Sequence, residues 1–292
     1  MNFRSLLTTG MLACSLLSQA QDTWTQRADF GGGQRTGGFS FTLSGKGYVG
    51  CGLYNEVDAS NDVWAYDPGS NAWSQVASFA VSANAGSVGF SIGSTGYVCA
   101  AQGNDLWAYD PVGNAWSARA PLPASGRFRP FGFALGAYGY VGGGRYGSTS
   151  LSDFWRYDPV SDAWLPRADI PGPARWVGAS FTVDGIGYIF GGADDAFNDL
   201  GDLQAYEPAT NTWSTRAPLP STARRAASGF SIGHAGYVAG GSTTGDLRFN
   251  ECWEYQPGNN LWNQVADPGP EGRSSAMAFT IGEHGYLVGG FT

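Results

Sequence analysis

Residues 105–123 read DLWAYDPVGNAWSARAPLP. The first twelve positions of this line recur four more times, beginning at Asp62, Asp153, Asp202 and Glu251. Each copy has an acid, a Tyr four residues later and a Trp seven residues after that Tyr. Repetition at a regular period indicates that one supersecondary unit is stacked several times along the chain. The repeat therefore decides the fold.

A second marker fixes the period. A Tyr preceded by Gly recurs every 43 to 49 residues, at Tyr48, Tyr97, Tyr140, Tyr188, Tyr237 and Tyr286. Seven residues before each stands a Phe, namely Phe41, Phe90, Phe133, Phe181, Phe230 and Phe279. Small residues, usually a Gly pair such as Gly143–Gly144, follow three and four positions after the Tyr. Six units hold this register.

Each unit is predicted to form four short antiparallel strands. GFSFTLSG and GYVGCG read as one hairpin around a Gly-rich turn. DVWAYDP and NAWSQVA read as a second hairpin, whose turn uses Pro and Asn. Four strands in about 45 residues are typical of one blade of a β-propeller. The repeated Trp and Tyr are then interpreted as packing between blades.

The Gly pair, Tyr and Trp at this spacing resemble the kelch repeat, and the resemblance covers residues 22–292. It implies an all-β, six-bladed kelch-type propeller related to the galactose oxidase propeller, with four-stranded blades. DTWTQRADF, at residues 22–30, matches an outermost strand, and residues 275–292 match two inner strands. The termini are thus expected to share a sixth blade that lacks its third strand. A chain truncated at its C-terminus would lack this strand; the alternative is a genuine three-stranded blade.

The N-terminus is predicted to be an export leader. Arg4 precedes a mostly apolar run over residues 6–17, and SQA ends at Ala20. We therefore divide the chain into a signal peptide, 1–20, and a propeller, 21–292. A lipoprotein box at Cys14 is the weaker reading. The expected location is periplasmic or extracellular, with no membrane insertion after leader removal, because the run is too short to span a bilayer.

The composition limits the kinds of partner that the chain is expected to bind. The net charge of −8 argues against sequence-independent binding of nucleic acid, which needs clustered Lys and Arg. The mature chain keeps Cys51, Cys99 and Cys252, which we place on strands as buried hydrophobes without disulfides. No Cys or His spacing suggests zinc, and no metal or other cofactor is expected. A monomer is expected.

Two registers are assigned to the scaffold. The first holds an Arg thirteen residues before the marker Tyr, with Asn84 in the second unit; its members are Arg35, Arg127, Arg175, Arg224 and Arg273. The second is the acid that opens each repeated line. We predict that these arginines and acids pair with each other or with loop carbonyls and hold neighbouring blades together.

Departures from the repeat are the candidate ligand-binding residues, since they fall on loops of one face of the disc. They are Tyr54, Glu56, Phe128, Arg129, Arg145, Tyr146, Trp176, Asp194, Asp195 and Arg225, with Asp58 and Phe197 beside them. Aromatic planes next to guanidiniums and carboxylates suit a sugar ring, an acidic glycan or a peptide. The predicted function is an exported binding module for a glycan or protein ligand.

Enzymatic readings are weaker. The galactose oxidase type of copper site needs histidine ligands, and His234 and His284 lie in inner hairpin turns on the opposite face. Exported kelch proteins also resemble sialic acid mutarotases, in which a carboxylate and an arginine would move the proton at an anomeric centre. Glu56, Asp194 or Asp195 with Arg129 or Arg225 could supply that pair, so an epimerase is the alternative, with no catalytic residue assigned.

Overall fold

A computed structural model describes residues 23–54, 58–79, 86–99 and 103–292. The described part is built of strands and turns, with no α-helix. Within it, no helix is long and apolar enough to cross a membrane. The predicted leader, Glu56 and Asn84 lie outside the described residues.

Five four-stranded antiparallel sheets follow one another along the chain, each in sequential strand order. Their strands, by blade, are as follows: Phe39–Leu43, Lys46–Gly50, Val63–Asp67 and Ala72–Val76; Val88–Ile92, Thr95–Cys99, Leu106–Asp110 and Ala115–Arg119; Phe131–Leu135, Tyr138–Gly142, Phe154–Asp158 and Ala163–Arg167; Ala179–Val183, Ile186–Ala193, Asp199–Glu207 and Thr212–Arg216; Ser228–Ile232, Ala235–Ala239, Cys252–Gln256 and Leu261–Val265. The four strands predicted for each unit are confirmed in these five blades.

The sixth sheet has two strands, Met277–Ile281 and His284–Val288. The first strands of all six sheets contact one another in turn, and the first strand of blade 6 contacts that of blade 1. The sheets therefore close into a ring. Short accessory strands lie in the loops, at Arg35–Thr36, Leu53–Tyr54, Asp58–Ala59, Arg145–Tyr146 and Thr149–Ser150.

The repeated Phe explains the Gly that precedes each marker Tyr. Phe41 of blade 1 occupies the space where Gly96 of blade 2 would carry a Cβ, and Phe279 of blade 6 meets Gly47 of blade 1 in the same way. A side chain at either glycine would collide with a buried ring. Close packing between neighbouring blades therefore requires glycine at this position.

The repeated Trp links each outer strand to the previous blade. Trp116 packs against Phe79 of blade 1 and Tyr109 of its own blade, with ring centroids 4.9 and 5.0 Å apart. Its Nε1 donates to the carbonyl of Ala77 at 3.0 Å. The predicted packing role is confirmed, but Trp116 is half-buried rather than fully buried because it lies on the outer strand.

The N-terminal segment takes the place of an outer strand in blade 6. Trp24 donates to the carbonyl of Ala266 in blade 5 at 2.7 Å, and Trp73 of blade 1 donates to Ala28 at 3.2 Å. These bonds reproduce the Trp116–Ala77 link on both sides of the segment. Residues 23–30 nevertheless form no strand, since the described residues offer no third strand of blade 6 to pair with them.

The cysteines are packing residues. Cys51, Cys99 and Cys252 are buried and form no disulfide in the described part of the chain. Burial raises the pKa of the Cys51 and Cys99 thiols to about 12, which keeps them protonated. Cys51 departs from the expectation of a strand position: it follows Lys46–Gly50 and has a φ of 56°.

Candidate ligand-binding face

Four of the five repeated arginines pair with the acid of their own blade. In blade 4, Arg175 is fully buried and its two terminal nitrogens lie 2.7 and 2.9 Å from the carboxylate oxygens of Asp202. The pairs in the other blades are Arg35–Asp62, Arg127–Asp153 and Arg224–Glu251. Three of the pairs have fork-to-fork geometry, which is both strong and specific, whereas Arg224 reaches Glu251 through one nitrogen. These ion pairs fasten loops within one blade, so the prediction that the pairs hold neighbouring blades together is wrong.

Two of these acids, Asp62 and Asp202, are held ionised by their neighbours. Burial opposes ionisation of Asp62, but hydrogen bonds from Arg35, Ser60 and Trp64 outweigh it and lower the pKa of this carboxyl. Burial also opposes ionisation of Asp202, and its bonds from Arg175 and Gln204 again lower the pKa. The same donors fix the direction of each carboxylate, so these acids are committed to the scaffold.

A second set of contacts links the six blades to one another at the centre of the ring. The residue two positions after each repeated Arg, or after Asn84 in blade 2, donates its backbone N–H to the carbonyl of its counterpart in the preceding blade. Six such bonds of 2.6 to 3.1 Å form a closed circle through Gly37, Gly86, Arg129, Val177, Ala226 and Ser275. We call these six positions the central ring. All six have a left-handed φ, between 52 and 92°.

Arg129 is the charged member of the central ring. Its guanidinium donates to Oγ of Ser275 at 3.0 Å, so the side chain reaches from blade 3 to the opposite blade 6. Burial lowers the pKa of Arg129 to about 10, which still leaves it cationic at neutral pH. No carboxylate of the described residues lies within ion-pairing distance of it. Arg129 therefore offers positive charge to an anion at the mouth of the ring.

Aromatic rings and arginines continue outward from Arg129 along the loops of blades 3 and 4. Arg129 lies over Phe128 at 5.3 Å, and Phe128 contacts Trp176 at 6.0 Å between centroids. Arg145 lies over both Trp176 and Phe197, at 5.2 and 4.6 Å. We call Phe128, Arg129, Arg145, Trp176 and Phe197 the arginine–aromatic strip.

The strip has unused binding capacity. Phe197 is 42% exposed, and Phe128, Arg145 and Trp176 are half-buried. The indole N–H of Trp176 is buried without a hydrogen-bond partner among the described residues. Like Arg129, Arg145 forms no ion pair with a described carboxylate. Buried donors without a partner are uncommon, and this one lies within the strip.

The other predicted ligand residues are placed differently. Arg225 pairs with Asp199 at 2.6 Å and donates to the carbonyl of Phe197 at 2.6 Å. It therefore holds the backbone of the strip at Phe197 in place. Asp194 accepts from the backbone and side chain of Asn198, and both bonds lower its pKa. Asp195 accepts from the backbone N–H of Ser150, and hydrogen bonding to Ser150 lowers its pKa. These two acids shape loops.

Tyr54 and Tyr146 lie in the accessory strands, 42% and 58% exposed. Tyr54 is paired with Arg35 on a different blade from the strip. The structure thus brings Phe128, Arg129, Arg145 and Trp176 together and leaves Tyr54 apart. Sequence reasoning missed Ser275 and Asp199. Ser275 had a detectable signal, because it stands in the same register as Arg129.

Two of the three carboxylates named for an epimerase, Asp194 and Asp195, form no ion pair with Arg129 or Arg225 among the described residues, and the third, Glu56, lies outside them. Asp194 and Asp195 are ionised loop caps, and Arg225 is engaged by Asp199. His234 is 90% exposed and bound to Asp184 at 2.7 Å, which raises its pKa. In the part of the chain that the structure describes, no three His, Cys, Asp or Glu side chains are placed to hold a metal ion.

Comparisons with known proteins agree with this architecture. The Kelch motif model matches residues 50–80 and 140–170. The solved structure titled "Structure of YjhT" superposes with a TM-score of 0.76 at 14% identity, covering 89% of this chain and 91% of that one. No curated protein matches the sequence. The fold and the repeats define a β-propeller. This chain is a β-propeller in which two stretches match the Kelch motif, as the spacing of its Gly, Tyr and Trp residues predicts.

Proposed function

We propose that this protein is an exported binding module whose arginine–aromatic strip binds an acidic glycan. The observation that carries the proposal is the pair of arginines, Arg129 and Arg145, that lie against aromatic faces and have no described carboxylate within ion-pairing distance. A ligand carboxylate would accept charge-assisted hydrogen bonds from either guanidinium. The exposed face of Phe197 would pack against the apolar face of a sugar ring.

Charge supports an acidic ligand over a neutral one. The chain carries a net charge of −8, so a cationic strip is a local exception on an acidic molecule. An anion would be attracted to this strip and repelled elsewhere, which orients the encounter. Protein ligands with acidic side chains share this chemistry. The sugar is preferred because the strip alternates aromatic planes with guanidiniums.

A glycan array probed with the full chain tests the proposal, and the best binder is then titrated by calorimetry. Arg129→Ala and Trp176→Ala are each expected to weaken binding by about 1–3 kcal/mol, through loss of a charge-assisted bond or a stacking anchor. Arg119→Ala serves as the control, because Arg119 is exposed on the outer strand of blade 2.

Melting temperatures separate binding from folding. Arg224→Ala breaks a scaffold pair and is expected to lower stability more than ligand affinity. If Arg224→Ala abolishes binding at full stability while Trp176→Ala has no effect, the scaffold register is the site. If no acidic glycan binds and an acidic protein does, the ligand class is wrong.

Export is part of the proposal and rests on the apolar run at residues 6–17. It is tested by N-terminal sequencing of the protein recovered outside the cytoplasm, which should begin at Gln21.

A further inference from the structure

Two arginines of blade 3 lie outside the arginine–aromatic strip, side by side on one face of their sheet. Arg156 is in the third strand, opposite Tyr140 on one side and Leu165 on the other. Arg167 is in the outer strand, opposite Phe154, which stands two residues before Arg156. Side chains two residues apart on a strand project from the same face. The two arginines are therefore diagonal neighbours on that face.

The face that carries both arginines is turned toward blade 4. Phe154 and Tyr140 contact the ring of Tyr206 in blade 4, at 4.9 and 5.5 Å between centroids. Burial raises the pKa of Tyr140, and the charges of Arg156 and Arg167 oppose that rise. The two guanidiniums therefore lie close to the same phenolic hydroxyl. Both arginines are only half-buried, so a solute can reach them from outside.

The repeat shows that this pair of charges is exceptional. The residues at the position of Arg156 in the other four-stranded blades are Ala65, Ala108, Ala205 and Glu254. Those at the position of Arg167 are Val76, Arg119, Arg216 and Val265. Blade 3 is thus the one four-stranded blade with a cation at both positions. Like charges close together on neighbouring strands are destabilising, and the other blades show that the architecture does not require them.

Neither arginine has a counter-ion among the described residues. Arg156 lies over the ring of Tyr138 at 4.1 Å, and the Nε atoms of Arg156 and Arg167 are buried without a described hydrogen-bond partner. Hydrogen bonding to the backbone N–H of Val160 lowers the pKa of Asp158, with a smaller contribution from the charge of Arg156. That carboxylate caps its own turn and lies beyond ion-pairing distance of Arg156.

Tyr140 adds a hydrogen-bond donor between the two charges. The residue is 2% exposed, and its hydroxyl forms no hydrogen bond within the described part of the chain. In blade 5 the equivalent hydroxyl, that of Tyr237, bonds to Glu254 at 3.2 Å, because there an acid holds the position of Arg156. Two cations and a neutral O–H donor match an oxyanion of charge −2, whereas a carboxylate would balance one guanidinium alone.

We propose that the boundary between blades 3 and 4 binds a dianionic phosphate group through Arg156, Arg167 and the Tyr140 hydroxyl. The phosphate oxygens accept charge-assisted hydrogen bonds from both guanidiniums. This dianion occurs as free inorganic phosphate or as a monoester on a sugar. Leu165, 44% exposed and opposite Arg156, offers apolar surface to such a sugar. The site is separate from the arginine–aromatic strip, and neither proposal depends on the other.

Calorimetric titration of the full chain with inorganic phosphate tests the site, at about pH 8, where phosphate is mainly dianionic. The ionic strength is held constant with sodium chloride. We expect saturable binding, and roughly 10-fold weaker binding of acetate, which carries a single charge. Phosphate also stabilises proteins in general by exclusion from their surface, so the binding heat must saturate to count.

Glucose 6-phosphate and glucose distinguish the two sources of the dianion. Tighter binding of glucose 6-phosphate than of inorganic phosphate identifies the sugar ester as the ligand. Equal or weaker binding of the ester identifies the free ion. Glucose itself should not bind, and an affinity for glucose equal to that for the ester overturns the proposal.

Four variants locate the site. Arg156→Ala and Arg167→Val introduce residues that other blades carry at these positions, so both are expected to fold. Each should weaken phosphate binding by roughly 10- to 100-fold, because a charge-assisted bond is lost, and Tyr140→Phe should weaken it less. Arg216→Val is the matched control, since blade 4 has Ala205 where blade 3 has Arg156. Absence of saturable binding, equal affinity for phosphate and acetate, or equal losses in Arg167→Val and Arg216→Val overturns the proposal.

Discussion

Replacing Arg175 by Met tests the scaffold register most directly. Arg175 is fully buried, and Met retains much of its aliphatic volume while removing the charge. Breaking a buried ion pair from one side costs about 3–5 kcal/mol, since the other charge is left uncompensated. The Asp202 side chain keeps 30% exposure and a bond from Gln204, so water and that amide recover part of the loss. We therefore expect a loss of about 2–4 kcal/mol.

The assay is urea unfolding at pH 7, with Arg273→Met as the matched control. Arg273 holds the same repeat position but contacts a carbonyl instead of a carboxylate, so its loss should cost about 1 kcal/mol. Asp202→Asn in the Arg175→Met background should cost less than in the unaltered chain, because the two residues are coupled. Equal losses for Arg175→Met and Arg273→Met, or additive losses for the pair, would refute the reasoning.

Three further predictions concern stability. Trp116→Ala should cost about 2–3 kcal/mol by calorimetry, below the 3–5 kcal/mol typical of a fully buried aromatic because Trp116 is half-buried; an unchanged melting temperature would contradict its packing role. Lowered pKa values of Asp62, Asp202 and Glu251 mean that the unfolded chain binds more protons. Their contribution is therefore complete above about pH 5 and lost as the pH falls below about 4, and a melting temperature that stays level down to pH 3 would argue against it. Deleting residues 21–30 should lower the urea midpoint of the whole ring, because blades 5 and 1 both lose their contacts with this segment; an identical midpoint would show that the termini do not meet.

Much of the fold was predictable because the repeat is written in residue types with narrow structural uses. The Gly leaves room for the Phe of a neighbouring blade, and the Trp must reach the previous blade. Few other folds satisfy both requirements. The third strand missing from blade 6 was also predictable, since no sixth copy of the acid–Tyr–Trp line exists. The irregular conformation of residues 23–30 was not predictable. Their sequence matches an outer strand, but their conformation depends on a pairing strand that the described residues do not supply.

The candidate site was predictable in part. Phe128, Arg129 and Trp176 stood out because they depart from the repeat, and the structure places them in contact. The local sequence does not distinguish these three residues from Asp194, Asp195 and Arg225, which depart from the repeat equally. Their roles depend on Asn198, Ser150 and Asp199, partners that only the folded loops bring close.

In the central ring, the atoms that link the blades are different from the side chains that would select a ligand. Its six links are made entirely by main-chain atoms, so the diameter of the opening is independent of the side chains that border it. Two of the six positions are Gly and three carry uncharged side chains, so Arg129 is the one charged residue of the central ring. A change of Arg129 to Glu would invert the polarity of the mouth while the frame persists. Related propellers could thus change their ligand by a single substitution in the central ring, because the contacts between their blades would stay the same.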